Sequence, residues 1–167
     1  MNSFFIILIA FALYGWLHSI LASLGFKAWM ERQLGMAWMQ RWYRLIFNVV
    51  GGLTLLPIFY LLWILPDRQI YQVPWPWMLI NFALQIWGVW IAYDGVRRTG
   101  TMQFLGLGQL AGKEESGEFV QSGPYRYMRH PIYTGSMLFL WAAPRISWLS
   151  LALNLSMTAY FFVGAYY

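Results

Sequence analysis

The chain has no cysteine among its 167 residues. That excludes disulfides, thiolate nucleophiles and cysteine metal sites, and the redox compartment cannot be read. Charge is scarce too. Charged residues make up 10% of the chain, whereas soluble domains carry about a quarter. This chain therefore has too little polar surface to face water all round. Histidine is almost missing: only His18 and His130 occur, on separate segments, with no HxxxH spacing and no carboxylate cluster. No metal site is expected from such a set. The start lacks the basic n-region of a signal peptide, since the first Lys or Arg is Lys27. Its apolar run is also too long for a signal-peptide core, so it is expected to remain as a span. Repeats and low-complexity linkers are absent, which predicts one domain over residues 1–167.

What the chain does have is apolar residues, 60% of the total, in long runs. Long runs signal membrane helices rather than one soluble core. The first predicted span is Ser3–Gly25. At 1.5 Å per residue it covers about 35 Å, enough to cross a bilayer. A polar, basic loop over residues 26–44 follows, then a second span, Leu45–Leu65, with Pro57 as a kink point. The loop "PDRQIYQVPWPW" brings the interfacial aromatics Tyr71, Trp75 and Trp77. A third span is predicted over Met78–Val96. A long polar segment from Arg97 to Pro131 separates it from a last apolar stretch, Ile132–Tyr167, which "APRIS" interrupts. Ile132–Ala143 covers only about 18 Å, so this stretch reads as a tight helical hairpin. The expected fold is an all-α integral membrane protein, a bundle of about five transmembrane helices whose last two form that hairpin.

The net charge of +5 would suit nucleic acid in a soluble protein. Here the basic residues stand between apolar runs, where membrane orientation explains them, and no nucleic-acid partner is expected. Lys27, Arg32, Arg41 and Arg44 lie in one loop, and Arg97, Arg98, Lys113, Arg126 and Arg129 in another. The opposite loops hold only Arg68 and Arg145. The positive-inside rule then puts the N-terminus outside and residues 97–131 in the cytoplasm.

Polar residues inside spans each admit two readings. His18 is a proton relay or substrate contact, or else an interhelical hydrogen-bonding group. Asn81 and Gln85 share one helix face and are expected to join helices. Asp94, with Arg97 and Arg98 three and four residues on, is expected to form an ion pair at a helix end. The glycine-bearing "GLGQLAGKEESG" follows no strand, so it is neither a dinucleotide fingerprint nor a phosphate loop.

The segment "GPYRYMRHPIYTG", residues 123–135, gathers two arginines, one histidine, three tyrosines and two prolines between apolar runs. It is either a basic, aromatic collar at the membrane surface or a binding site. Pro131 suits the first turn of a helix, and His130 before it is biased towards extended backbone. The helix would then aim free N–H groups and its positive dipole end at the cytoplasm, beside Arg129 and His130. Such a place suits a carboxylate. "GEFV", residues 117–120, could present backbone groups to a flat heterocycle, with Tyr125 and Tyr133 covering its face.

This segment resembles the RHPxYxG signature of the membrane methyltransferases: isoprenylcysteine carboxyl methyltransferase, the phospholipid N-methyltransferases, and the bacterial methanethiol S-methyltransferase and NnrU-like proteins. "WLHSILAS", "WYRLIFN" and "LPDRQIYQVPWPW" resemble the small bacterial members, so the resemblance covers most of the chain. It implies a bundle of about five helices in the bacterial inner membrane, which binds S-adenosyl-L-methionine at the cytoplasmic face. It also implies an acceptor, a small or lipophilic thiol or carboxylate, arriving from the membrane lipids. Carried over by motif, the cofactor residues are Gln109, the run Gly117, Glu118, Phe119 and Val120, then Tyr125, His130, Pro131, Ile132 and Tyr133. Arg129 and His130 are the expected catalytic pair, Arg129 orienting the motif or meeting the cofactor carboxylate. Two departures stand out. Family members carry histidine or another polar residue where this chain has Gly117. They also continue past the last helix with an arginine and a Glu-Glu pair, whereas this sequence stops at "FFVGAYY", so the expectation is a C-terminally truncated domain.

The implied chemistry is an SN2 methyl transfer from a sulfonium. The donor is already activated, so the protein must align donor and acceptor within about 3–3.5 Å and exclude water. No second basic cluster for a phosphate is evident, which disfavours a phospholipid amine. Two other functions compete: a non-enzymatic NnrU-like membrane protein that keeps the fold, and a membrane reductase of the sterol type. The latter needs a cytoplasmic dinucleotide pocket, for which the chain offers little polar sequence.

Overall fold

The computed structural model describes residues 2–112 and 120–166. Gly117, Glu118 and Phe119 of the expected cofactor run lie outside the described residues. The architecture is helical. Helix α1 is Asn2–Ala22, α2 Leu24–Leu34, α3 Met36–Ile64, α4 Met78–Arg98, α5 Thr101–Leu105, α6 Leu107–Leu110, α7 Pro131–Trp141 and α8 Trp148–Tyr166. Two short strands, β1 Gln69–Gln72 and β2 Arg145–Ser147, pair antiparallel. Three helices are long and apolar enough to cross a membrane: α1, α3 and α8. α4 is 21 residues long, about 31 Å, but Asn81, Gln85 and Asp94 dilute its apolar character.

The polar stretch expected as a loop over 26–44 is helical instead. Ser23 caps α2, its hydroxyl accepting from the Phe26 N–H at 3.2 Å. Only Gly35, at a φ of 85°, interrupts the run into α3. The helix α3 thus begins nine residues before the apolar run it was read from. The loop expectation failed because Lys, Arg, Glu, Gln, Met and Ala are all good helix formers. Pro57 sits inside α3 without ending it; membrane helices tolerate proline because neighbours can satisfy the freed carbonyl.

The packing is inside-out relative to a soluble domain. The small buried core joins Ile7 of α1 to Leu149 and Ala152 of α8, with Leu61, Leu62 and Leu65 from the end of α3 against it. Large apolar side chains cover the outer faces instead, among them Trp63 at 82% and Ile86 at 71% exposure. Such a surface is solvated by lipid tails, not water. Aromatic contacts give α1 and α8 the same direction: Phe4 meets Trp148 near their starts, and further along Phe11 and His18 meet Tyr160. At the starting side lie the strand pair and Asp67, whose carboxylate accepts from the Leu149 N–H at 3.2 Å. At the other side Asn48 of α3 donates to the Phe104 carbonyl at 2.8 Å, tying down α5. Among the described residues, the basic side chains of the 26–44 and 97–131 segments and those of Arg68 and Arg145 thus fall on opposite ends of the bundle.

α7 packs mainly along α4. The two backbones come close because both contact positions are glycine. A Cβ on Gly88 would lie 2.6 Å from the Gly135 carbonyl oxygen and 2.8 Å from the Phe139 nitrogen. Hydrogen bonds from α4 side chains finish the interface, Asn81 Nδ2 to the Ala142 carbonyl and Gln85 Nε2 to the Phe139 carbonyl, both at 3.1 Å. Both residues do join helices, as expected from their shared face. α8 reaches α7 through Asn154 Nδ2, which donates to the Leu140 carbonyl at 3.1 Å, and through Trp141 Nε1, which donates to Thr158 Oγ1 at 2.9 Å.

Candidate functional site

The signature segment folds as its residue order suggested. Residues Gly123–Arg126 form a single 3-10 turn with Pro124 buried. His130 precedes the helix at φ −129°, ψ 68°, and Pro131 opens α7. The first backbone amide of the helix to find a carbonyl is Thr134 N–H, which donates to His130 at 3.0 Å; the Thr134 hydroxyl donates to the same oxygen at 3.1 Å. Pro131 has no N–H, so Ile132 and Tyr133 contribute the amides at the positive end of the helix. Pro131 is buried and Ile132 half-buried against Gly95 of α4, where a Cβ would come within 3.3 Å of Pro131 and 3.2 Å of Ile132.

An aromatic ladder rises from this point. The exposed His130 ring stacks on Tyr133 at 5.4 Å between centroids, 13° between planes. Tyr133 stacks in turn on Phe161 of α8 at 4.7 Å and 12°. The sequence placed His130 and Tyr133 in one motif; Phe161 was not foreseen, because it comes from a helix about 30 residues away and looks like any lipid-facing aromatic. Arg129 is exposed and has no ion-pair partner among the described residues. Tyr125 is half-buried in the 3-10 turn, and burial pushes its phenol above the usual tyrosine range. Val120 is half-buried where the described chain resumes.

The loop that leads into the signature is held by a buried charge. Asp94 is 6% exposed. Its carboxylate takes the Arg98 Nε at 2.6 Å, with Arg97 further off at 3.7 Å. Arg98 then donates from Nη1 to Ser122 Oγ at 2.9 Å and lies flat against Gly123. Gly123 has a φ of 60°, and any Cβ there would overlap the guanidinium. The expected helix-end ion pair is therefore present, and it also fixes the start of the signature turn. Sequence spacing found the pair but not this long-range contact.

Gln109 is elsewhere. It lines a cleft of about 950 Å³ between α2, α3 and α6, together with Lys27, Arg41, Arg44 and Tyr43. None of residues 120–133 lines that cleft among the described residues. Its Nε2 donates to the Gln103 carbonyl at 3.4 Å. The basic residues read from the sequence as one loop, Lys27, Arg41 and Arg44, thus line one cleft from two helices, Lys27 from α2 and both arginines from α3.

His18 occupies a third position. It stacks on Tyr14 of its own helix at 5.5 Å, lies 4.5 Å from Phe47 of α3, and meets Tyr160 of α8 edge-on at 6.0 Å. Gly51 leaves room for its ring, as a Cβ there would sit 3.2 Å from Nδ1. That Nδ1 is buried and has no hydrogen-bond partner among the described residues.

Comparison with known proteins fixes the family. The phospholipid methyltransferase family model matches residues 77–166, the stretch that holds α4, the signature, α7 and α8. The chain belongs to the phospholipid methyltransferase family. Two curated proteins of Bradyrhizobium diazoefficiens extend the likeness to its first half. Methanethiol S-methyltransferase 1 is 28% identical over 163 residues, and methanethiol S-methyltransferase 2 is 28% identical over 165. Each match covers 94% of this chain but only 55% and 61% of the two relatives. The chain therefore spans little more than half the length of the methyltransferases it matches. No solved structure matches it. Membership in this membrane family, with three helices of spanning length, makes the chain an integral membrane protein.

Proposed function

We propose that this protein is an S-adenosylmethionine-dependent methyltransferase, whose methyl acceptor is a small or lipophilic thiol or a carboxylate. The observation that carries the reading is the signature inside the family-matched region, folded as a helix N-terminus capped by an aromatic ladder. Its groups suit such a methyl donor. The amides of Ile132 and Tyr133, with Arg129 beside them, favour an amino-acid carboxylate. The exposed His130 end of the ladder favours a flat heterocycle or a sulfonium by stacking and cation–π attraction. S-adenosylmethionine, when bound, would supply the activated methyl group. The chain's own part is to orient it and to keep water from the acceptor.

In this reading α4 crosses the bilayer alongside α1, α3 and α8, and α7, the short arm of the hairpin with α8, enters it as the fifth membrane helix. The basic end, holding residues 97–131, faces the cytoplasm, and the N-terminus lies outside. A thiol acceptor is supported by the names of the two Bradyrhizobium relatives. A phospholipid acceptor is the second reading, favoured by the cleft that carries Lys27, Arg41 and Arg44 at the same end of the bundle.

Calorimetric titration of the detergent-purified protein with S-adenosylmethionine tests the proposal. Binding is expected, and His130→Ala is expected to weaken it about tenfold, the scale of one charge-assisted or stacking contact. Wild-type protein without affinity for the compound refutes the methyltransferase reading. Unchanged affinity in the variant reduces the segment to a membrane-surface collar. Radiolabelled methyl transfer to an alkanethiol, a prenylated carboxylate and a phospholipid amine then separates the acceptors.

A further inference from the structure

The buried Nδ1 of His18 has no hydrogen-bond partner among the described residues. An ionisable side chain inside a membrane helix is costly, and an unsatisfied one more so. The cage around it is aromatic: Tyr14 from α1, Phe47 and the Gly51 backbone from α3, and Tyr160 from α8. This cage adjoins the signature. Tyr160 precedes Phe161, the last rung of the His130–Tyr133 ladder, and the Tyr133 and Tyr160 phenols are near enough to interact electrostatically. An orphan nitrogen therefore stands on the bilayer side of the methyl-donor site proposed above.

We propose that His18 is the acceptor-side catalytic base, whose imidazole accepts a hydrogen bond from the thiol of a small, apolar alkanethiol and takes its proton during methyl transfer. The inference rests on the methyltransferase reading and goes beyond it. A thiol fits this cage better than a carboxylate. The facing groups are neutral rings and hydroxyls, so a carboxylate would be buried without a cation, whereas a thiol enters uncharged and gains sulfur–aromatic contact. The charge balance also favours the step. The carbon–sulfur bond to the sulfonium breaks and its electron pair stays on that sulfur, which becomes a neutral thioether. The acceptor sulfur forms the new carbon–sulfur bond, and its proton moves to His18. One positive charge leaves the sulfonium as one appears on the imidazole, so the low-dielectric site holds the same net charge throughout.

The test uses the full chain in detergent and the variants His18→Gln and His18→Ala. Glutamine keeps a hydrogen-bonding group but cannot take a proton. Both variants are expected to bind S-adenosylmethionine within about twofold of wild type. With an alkanethiol, kcat/KM should fall about 100-fold or more, the usual contribution of a general base. With an aromatic thiol that is already ionised at neutral pH, the loss should be a few-fold. The alkanethiol rate of the wild type should rise with pH through one ionisation below the tyrosine range. Tyr14 and Tyr160 face the imidazole, with Tyr43 behind Phe47; all three remain in the glutamine variant, so an ionisation that belongs to His18 is absent from it. A second readout needs no turnover. The chain has two histidines, so nitrogen-15 histidine spectra assign simply: an alkanethiol should shift the His18 signals, and S-adenosylhomocysteine those of His130. Equal losses with both thiols, loss of S-adenosylmethionine binding, or unmoved His18 signals overturn the proposal and leave His18 structural. Wild type that moves neither histidine and binds no S-adenosylmethionine fails at the earlier step, the methyltransferase reading itself.

Discussion

Gly88→Ala tests the contact on which the site is mounted. The added methyl would stand 2.6 Å from the Gly135 carbonyl oxygen and 2.8 Å from the Phe139 nitrogen. Both are backbone atoms of α7, so no side chain can swing away. To restore an ordinary contact of 3.4 Å, the helices must part by about 0.8 Å. Overpacking of this kind costs about 1–3 kcal/mol. Two backbone clashes at once put it near the upper end. Alanine returns about 1 kcal/mol through its better helix propensity, which leaves a net loss of about 2 kcal/mol. α7 carries His130 through Tyr133 at its start, so the same displacement moves the signature. A shift near 1 Å at a reacting centre can cost about 100-fold in rate. Gly52→Ala is the control: it sits in α3 with nothing within 4 Å of its Cβ, and should be neutral or slightly stabilising. Thermal unfolding in detergent and affinity for S-adenosylmethionine are measured on both variants. If Gly88→Ala matches Gly52→Ala in both assays, the close α4–α7 approach is wrong.

Asp94→Asn removes the partner of Arg98 and should lower stability by about 1–2 kcal/mol, less than for a fully buried pair because the Arg98 side chain is 29% exposed. It should also raise proteolytic nicking near Ser122, since Arg98 no longer holds that loop; nicking at the wild-type rate would refute the clamp. Tyr125 gives a pH signature. Burial raises its folded-state pKa above the ordinary value of 10.0, so its stabilising contribution is complete below pH 10 and is lost as pH climbs through the folded value. Tyr125→Phe should therefore flatten the decline of the melting temperature above about pH 10; parallel curves for variant and wild type would exclude a buried phenol.

The helices that face lipid on most sides were legible, because their apolar runs are long and unbroken. α1 was read to within three residues. Where a helix leaves the apolar zone, hydropathy stops reporting on it, which hid α2 and the first nine residues of α3. The local half of the site was legible too, since His130, Pro131 and Tyr133 fall within one turn and proline dictates the backbone around them. Contacts that join distant segments were not. Phe161 stacks on Tyr133 across 28 positions, and Arg98 reaches Ser122 across 24. Glycine was ambiguous for the same reason: Gly88 and Gly52 look alike in sequence, and only the partner helix separates them.

The short α7 explains where the site lies relative to the bilayer. At 11 residues it is about 16 Å long, half a hydrocarbon core. It survives there because α4 supports it at both ends, through Asn81 to the Ala142 carbonyl and through Gly95 against Pro131. Between those anchors α4 advances from residue 81 to 95, about 21 Å. The signature thus lies below the last turn of α4, where Arg98, held by Asp94, draws the Ser122–Gly123 turn over it. A helix N-terminus recessed in this way faces a lower effective dielectric than one in water, so its dipole and the Arg129 charge act more strongly on an anionic group.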